Sequence, residues 1–91
     1  LVYGAADADN FIYYDYFKRY EAEYSNFKFV PVAADRENWS GKTGFVTDVL
    51  KEMNLENSRI YMCGPEAMTV NSMALFANKG VPENAVSFEK A

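Results

Sequence analysis

The chain has 91 residues, which suffice for one small domain or part of one but not for separate cofactor and substrate domains. Its 13 acidic and 9 basic residues give a net charge of -4, which disfavours nucleic-acid binding, and the lack of histidine excludes Ser-His-Asp triads and Cys-His dyads. The single cysteine excludes an internal disulfide and a cysteine-rich zinc site, and no apolar run is long enough to span a membrane, so we expect a cytoplasmic protein without a metal site.

The first predicted elements are a strand and a long aromatic helix. The apolar run of residues 1–3, which Gly4 ends, predicts a buried strand. Aromatic residues at helical spacing predict a helix over residues 10–24, and the short polar side chains of Asp7, Asp9 and Asn10 can cap its first turn. We expect the tyrosines of this helix to cover a sheet face with their hydroxyls at the rim, with stacking on a ligand as the alternative.

The middle of the chain predicts a second strand and a short helix. Residues 27–33 are rich in β-formers, and Pro31 predicts an edge strand, because proline has no amide hydrogen to donate. The glycines and lysine of residues 39–44 lack the spacing of a P-loop, so we interpret this segment as a turn with a buried tryptophan. The apolar residues of segment 45–53 predict a short helix.

The last third of the chain predicts a strand, a helix and a strand. Residues 59–63 are predicted as the third strand of the chain and residues 85–88 as the fourth. Between them, a helix is predicted to begin at Glu66 and to be closed by Gly80. The helix residues expected to face inward are Val70, Met73, Ala74 and Ala77. Because strands and helices alternate along the whole chain, the predicted fold class is α/β, with a parallel sheet and covering helices.

Two strand-to-helix corners are candidate binding sites, because ligands of open parallel sheets lie beyond the carboxyl ends of the strands. At the first corner, the small residues 4–6 would let a flat ring or a sugar approach the backbone, although the same residues also suit an ordinary turn. At the second corner, Gly64 permits a close approach and Pro65 fixes the turn into the helix. Cys63 could serve there as a small, polarizable wall beside a reacting ring.

Several motifs keep a fixed order along nearly the whole chain: YGA at 3–5, WSGKTGFVT at 39–47, YMCGP at 61–65, GVPEN at 80–84 and FEK at 88–90. Together they resemble the nicotinamide-binding domain of the ferredoxin-NAD(P)H reductase superfamily, and most of all the NADH-dependent reductase components of bacterial ring-hydroxylating oxygenases. The resemblance implies a Rossmann-like domain that binds NADH and passes hydride to FAD in a neighbouring flavin-binding domain. An iron-sulfur centre or an oxygenase would then receive the electrons.

The resemblance also implies roles for individual residues. Cys63 matches the family cysteine near the nicotinamide and the flavin, and it is the candidate catalytic residue. The residues carried over as cofactor-binding are Gly4, Ala5, Ala6 and Asn10 around the adenosine ribose, and Gly64, Pro65, Glu66 and Met68 in the Cys-Gly-Pro-x-x-Met loop. We expect the corner after Tyr3 and the corner at Cys63 to face one crevice, so that a single dinucleotide extends between them.

Some positions depart from the family pattern. Many relatives carry a basic residue where Ala6 stands and an acidic residue where Asn10 stands. Without an arginine at position 6, and with Asp7 and Asp9 nearby, a ribose 2′-phosphate would be poorly accommodated, so NADH is expected rather than NADPH. Glu66 replaces a second proline that is common in the family. The glutamate could interact favourably with the helix dipole, or it could repel a pyrophosphate, and the sequence does not decide between these effects.

Part of the family's domain has no counterpart in these residues. The resemblance implies a preceding central strand with a glycine-rich pyrophosphate loop, and a flavin-binding barrel, so residues 1–91 are interpreted as a partial NAD-binding domain. Ala91 stands where relatives commonly carry an aromatic residue near the flavin. Because a sheet without its central strand leaves backbone groups unpaired, we expect the isolated chain to be unstable or to pair its exposed strands with another copy.

Two other classes of protein are alternatives. A non-catalytic binding or interaction module would keep the fold without binding nucleotide, which the missing pyrophosphate loop favours and the intact corner at residues 63–65 disfavours. A flavodoxin-like or receiver-like domain would carry clustered acids or hydroxyl-rich loops at several strand ends, and Asp35 and Asp48 do not supply such a cluster.

Overall fold

The computed structural model describes residues 1–90, and the expectation for Ala91 falls outside them. The chain divides into two compact units, Leu1–Val49 and Leu50–Ala91. Both units contain parallel strand pairs together with helices, which confirms the predicted α/β fold class. Within residues 1–90, no helix combines the length and the apolarity that crossing a membrane requires.

The first unit is built on three parallel strands. Its elements are β1 (Val2–Ala5), a 3₁₀ turn (Ala8–Asn10), α1 (Tyr14–Glu23), β2 (Val30–Ala33), β3 (Lys42–Thr43) and all but the last residue of α2 (Val46–Leu50). β1 pairs with β2 over its whole length, from Val2 opposite Val30 to Ala5 opposite Ala33. β3 pairs only with the last two residues of β2, and the strand order is β1-β2-β3.

The prediction that β2 lies at a sheet edge is wrong, because β2 lies between β1 and β3. The amide of Val30 donates to the carbonyl of Leu1 (2.8 Å), and the amide of Ala34 donates to the last carbonyl of β1 (3.0 Å). Alternate amides of β2 therefore point toward β1, and the ring nitrogen of Pro31 points the other way. Since β3 has not begun at that level, no ladder hydrogen bond is lost there.

α1 begins at Tyr14 rather than at residue 10. The carboxylate of Asp7 accepts a hydrogen bond from the amide of Asp9 (3.0 Å), so it caps the short 3₁₀ turn and not the long helix. Tyr13, which precedes α1, has a left-handed backbone with φ of 60°, and a continuous right-handed helix excludes this conformation. The polar cluster therefore stays beside the end of β1.

The core of the first unit is largely aromatic. Its buried residues are Phe29, Val32, Ala33 and Val46. The rings of Tyr3, Phe11, Tyr14, Phe17, Phe29 and Trp39 contact one another at centroid distances between 5.1 and 6.4 Å. Trp39 also donates from Nε1 to the carbonyl of Lys42 (2.7 Å). Residues 39–44 therefore contain a half-buried tryptophan and the short strand β3, where a turn with a buried tryptophan was predicted.

The expectation that the tyrosines of residues 10–24 cover the sheet holds only for Tyr14. Its ring packs against Phe29 at 5.7 Å and is half-buried. The other four rings are between 38% and 72% exposed: Tyr13, Tyr16, Tyr20 and Tyr24. α1 turns its Tyr14 and Phe17 face inward, so the four tyrosines on the adjacent face remain at the surface.

The second unit contains one helix and two parallel strands. Its elements are β4 (Ile60–Gly64), α3 (Glu66–Asn78), a 3₁₀ turn (Glu83–Ala85) and β5 (Val86–Lys90). β4 pairs with β5 from Ile60 opposite Val86 to Gly64 opposite Lys90, and α3 packs against β4. Among the described residues, β1 has β2 as its one strand neighbour and β4 has β5.

The predicted inward face of α3 is wrong for three of its four residues. Val70 is 59% exposed, and the other two exposed members of the predicted face are Ala74 and Ala77; Met73 is half-buried. The buried side chains are instead Ser72 and Phe76, which lie one helical turn apart. Phe76 is the largest apolar side chain of α3, so burying its ring decides which face packs inward.

Gly80 closes α3 with a Schellman motif. Its amide donates to the carbonyl of Ala77 (3.1 Å), and the amide of Val81 donates to the carbonyl of Phe76 (2.9 Å). The φ of Gly80 is 79°, and a Cβ there would meet no atom within 4 Å. We therefore expect Gly80→Ala to destabilise the fold by about 1 kcal/mol through backbone strain alone. Urea denaturation checks this value, and Gly80→Asn should cost less; equal stability of all three proteins would contradict it.

Candidate functional site

The first candidate corner follows β1. Gly4 and Ala5 end the strand, and Ala6 comes directly after it with an exposed side chain. The carbonyl of Ala5 accepts from the amide of Ala34 (3.0 Å), and the carbonyl of Ala6 accepts from the amide of Asp35 (2.9 Å). These bonds extend the β1–β2 pairing beyond the strand, so the corner has a fixed backbone and small side chains.

Asn10 belongs to the same corner. Its Nδ2 donates a hydrogen bond to Oδ1 of Asp7 (2.8 Å), and the same oxygen accepts from the amide of Asp9 (3.0 Å). The structure therefore brings Asn10 close to the residues after β1 and fixes its side chain through Asp7. The carboxylates of Asp7 and Asp9 make the corner acidic, which suits free hydroxyl groups better than a phosphate.

Gly4 is required at this corner for a packing reason. A Cβ on Gly4 would lie 2.8 Å from Cγ1 of Val46, which is buried at the start of α2. The β-branched valine has one strongly preferred rotamer in a helix, so it cannot easily move aside. The absence of a side chain on Gly4 therefore allows α2 to pack closely on the end of β1.

The second candidate corner joins β4 to α3. Cys63 is the fourth residue of β4 and is exposed. Gly64 ends the strand, Pro65 is the N-cap residue of α3, and Glu66 is its first residue. Pro65 needs no amide partner at this position, and its φ of -59° is the value that its ring imposes. The order of strand, glycine, proline and helix is therefore the one predicted from sequence.

Met68 covers Gly64. The thioether sulfur of Met68 lies 2.8 Å from the position that a Cβ of Gly64 would take, so the methionine occupies the space that glycine leaves free. This contact places Gly64 on the side of β4 that α3 covers. Because side chains alternate along a strand, the neighbouring thiol of Cys63 lies on the opposite, uncovered side. Met68 therefore supports the corner from behind, while Cys63 is accessible to a ligand.

Glu89 is a neighbour of Cys63 that sequence reasoning missed. It lies opposite Cys63 in the β4–β5 pairing and is exposed, so the carboxylate and the thiol share one face of the sheet. The FEK motif contains Glu89, but the sequence does not show that Glu89, and not Phe88, lies opposite Cys63. That depends on the register in which the two strands pair.

Neither of two concave surfaces in the described units is lined by a predicted site residue. One, of about 370 Å³, lies between the end of α3 and the start of β5, and the other, of about 350 Å³, lies beside Pro31 and Trp39. Ala6 at the first corner and Cys63 at the second are exposed within their own units. Because they belong to different units, the expectation that one dinucleotide extends from one corner to the other stays a prediction.

Comparison with known proteins gives matches over most of the chain. The family described as the oxidoreductase NAD-binding domain matches residues 1–72. The F component of the Na(+)-translocating NADH-quinone reductase of Haemophilus ducreyi is 32% identical over 93 residues, which covers 92% of this chain and 23% of the relative. The same component of the Yersinia enterocolitica enzyme is 30% identical, with 96% of this chain and 24% of the relative covered. The chain thus spans about a quarter of the length of these relatives.

Solved structures show a similar fold. The Amycolatopsis cytochrome P450 reductase GcoB matches with a TM-score of 0.84 and 24% identity, over 99% of this chain and 28% of that one. The ferredoxin reductase in carbazole 1,9a-dioxygenase matches with a TM-score of 0.74 and 24% identity, over 100% of this chain and 28% of that one. At this level of identity, the two structures support the fold.

Proposed function

Because the chain belongs to the oxidoreductase NAD-binding domain family, we propose that it is the NADH-binding part of a flavin-dependent reductase. The observation that carries the proposal is the corner at Cys63, where an exposed thiol precedes Gly64 and Pro65 at the carboxyl end of a parallel strand. Ligands of this fold class bind at such strand ends. The relatives named above as NADH-quinone and P450 reductases are in keeping with this proposal.

The two corners would divide the binding of the dinucleotide. At the first, the acidic residues Asp7 and Asp9 offer acceptors to the ribose hydroxyls, Asn10 is held in place by Asp7, and Ala6 leaves room. At the second, Cys63 would contact the nicotinamide side. When bound, NADH supplies a hydride for FAD. The task of these residues is to hold the donor ring in a reactive position, which replaces a search through orientations.

The chain is proposed to be part of a larger NAD-binding domain. Its relatives are about four times longer, and β1 and β4 each have one strand neighbour among the described residues. A preceding strand with a pyrophosphate loop, and a flavin-binding domain, would belong to the rest of the parent protein. Its electron acceptor is proposed to be an iron-sulfur centre or an oxygenase, in line with the dioxygenase and P450 reductases of similar fold. The exposed free thiol suits a cytoplasmic location.

The choice of NADH over NADPH can be tested at Ala6. In the parent flavoprotein, we expect Ala6→Arg to improve flavin reduction by NADPH relative to NADH by about tenfold, because an arginine can form charge-assisted hydrogen bonds with a 2′-phosphate. Stopped-flow absorbance of the flavin measures both rates. Ala22→Arg, a matched charge change at an exposed position of α1, should leave the preference unchanged.

The same measurement separates the proposal from its alternative. If neither NADH nor NADPH reduces the flavin of the parent protein, the chain is a non-catalytic module that keeps the fold. If NADH reduces it but Ala6→Arg leaves the coenzyme preference where it was, the assignment of the first corner to the adenosine ribose is wrong.

A further inference from the structure

An exposed row of large side chains, most of them tyrosines, runs along α1 and the residues that flank it. We define the tyrosine stripe as Ile12, Tyr13, Tyr16, Tyr20 and Tyr24, whose exposed fractions lie between 38% and 72%. Neighbouring rings touch along the row, at centroid distances of 6.5, 6.1 and 4.5 Å. These rings hold one another in a common arrangement, so the stripe is an ordered surface and not a set of separate side chains.

The tyrosine stripe has no role in the proposed nucleotide site. Within the first unit, Tyr14 and Phe17 pack on Phe29. Tyr16 contacts Phe17 and Tyr20 contacts Phe27 through one side of their rings, and the remainder of both residues is exposed. An exposed row of large apolar side chains costs solvation free energy unless something covers it, and tyrosines are enriched at the centres of protein interfaces. The row therefore has the composition of an interface.

From these observations, we propose that the tyrosine stripe is a self-association surface, on which α1 of a second copy of this chain packs in antiparallel orientation. In this arrangement, centred near Tyr20, Tyr16 of each copy lies opposite Tyr24 of the other, and the two Tyr20 rings meet at the centre.

Charge complementarity favours a second copy. Arg19 and Glu23 are exposed, lie one turn apart on α1, and flank the tyrosine stripe on the same side. In an antiparallel pair centred near Tyr20, the same flanks of both helices meet, and Arg19 of one copy comes beside Glu23 of the other, twice by symmetry. The stripe is also self-complementary in hydrogen bonding, because each tyrosine hydroxyl both donates and accepts.

The test measures the oligomeric state of the full-length protein by sedimentation velocity over a range of concentrations. The wild-type protein should dimerise, and Tyr16→Glu with Tyr20→Glu should make it monomeric. Tyr61→Glu is the matched control, because Tyr61 is 76% exposed on β4 and lies outside the stripe. A monomeric wild-type protein, or a dimer that survives the double change, would overturn the proposal; the latter result would indicate pairing through strand edges or another surface.

Charge exchange gives a second test that does not alter the rings. Arg19→Glu and Glu23→Arg should each raise the dissociation constant of the dimer by about tenfold, since each places like charges together. The double exchange should restore the wild-type value, because it recreates both pairs between the copies. Circular dichroism should show equal helix content in all of these variants. If the double exchange fails to restore dimerisation, the antiparallel arrangement is wrong.

Discussion

Replacement of Cys63 by serine is expected to slow flavin reduction by NADH in the parent protein by about tenfold to a hundredfold, while the dissociation constant of NADH changes little. The reason is positional. The thiol is exposed on the uncovered side of β4, and a serine oxygen is smaller, less polarizable and more strongly hydrated than the sulfur that it replaces. The donor ring would then spend less time at a reactive distance.

The exposure of Cys63 makes this experiment specific. No buried contact is lost when the sulfur is replaced, so the fold should keep its stability. Tyr61→Phe is the matched control, because Tyr61 lies two residues earlier on the same side of β4 and its hydroxyl has no proposed role. Single-turnover stopped-flow kinetics separate hydride transfer from binding. A wild-type rate for Cys63→Ser would remove the cysteine from the mechanism.

A change at Cys63 also tests Glu89, which the register places on the same face. If the carboxylate of Glu89 acts on the site together with the thiol, Glu89→Gln should change the rate of flavin reduction by one factor in the wild-type protein and by a different factor in the Cys63→Ser variant. Equal factors would show that the two side chains act independently, because coupled residues give non-additive effects.

The parts of the fold that could be predicted are those that local chemistry determines. The corner at residues 63–66 follows from an apolar run, a glycine, a proline and a helix-forming segment, and each of these acts within a few residues. The closing glycine of α3 is of the same kind, because Gly80 is the residue type that tolerates a φ of 79° without strain.

The parts that could not be predicted depend on tertiary pairing. Pro31 was expected at a sheet edge. Whether a proline can occupy an inner strand depends here on where β3 begins, and the residues next to Pro31 in sequence do not determine that position. The buried face of α3 was placed wrongly because apolar residues lie all around that helix, so periodicity does not select Ser72 and Phe76 over Val70 and Ala74. The aromatic residues of α1 likewise lie on more than one face of the helix. Packing of Tyr14 and Phe17 against Phe29 decides which face turns inward.

Gly4→Ala is expected to destabilise the first unit by about 1–3 kcal/mol, which is the usual cost of adding a methyl group to a closely packed site. The added carbon would lie 2.8 Å from Cγ1 of Val46, and both the strand and α2 would have to move apart to accept it. Amide hydrogen exchange of β1 and β2 measures the loss of stability locally, even within a larger parent protein.

Because Gly4 also belongs to the proposed nucleotide corner, a loss of activity in Gly4→Ala would have two possible causes. Val46→Ala separates them, since it removes Cγ1 and with it the contact that the new methyl group would meet. The double variant should therefore be destabilised by less than the sum of its single changes. If rescue restores protection from exchange but not the rate of flavin reduction, the methyl group acts on nucleotide binding directly; strict additivity would show that the contact with Val46 is not the reason for a glycine at this position.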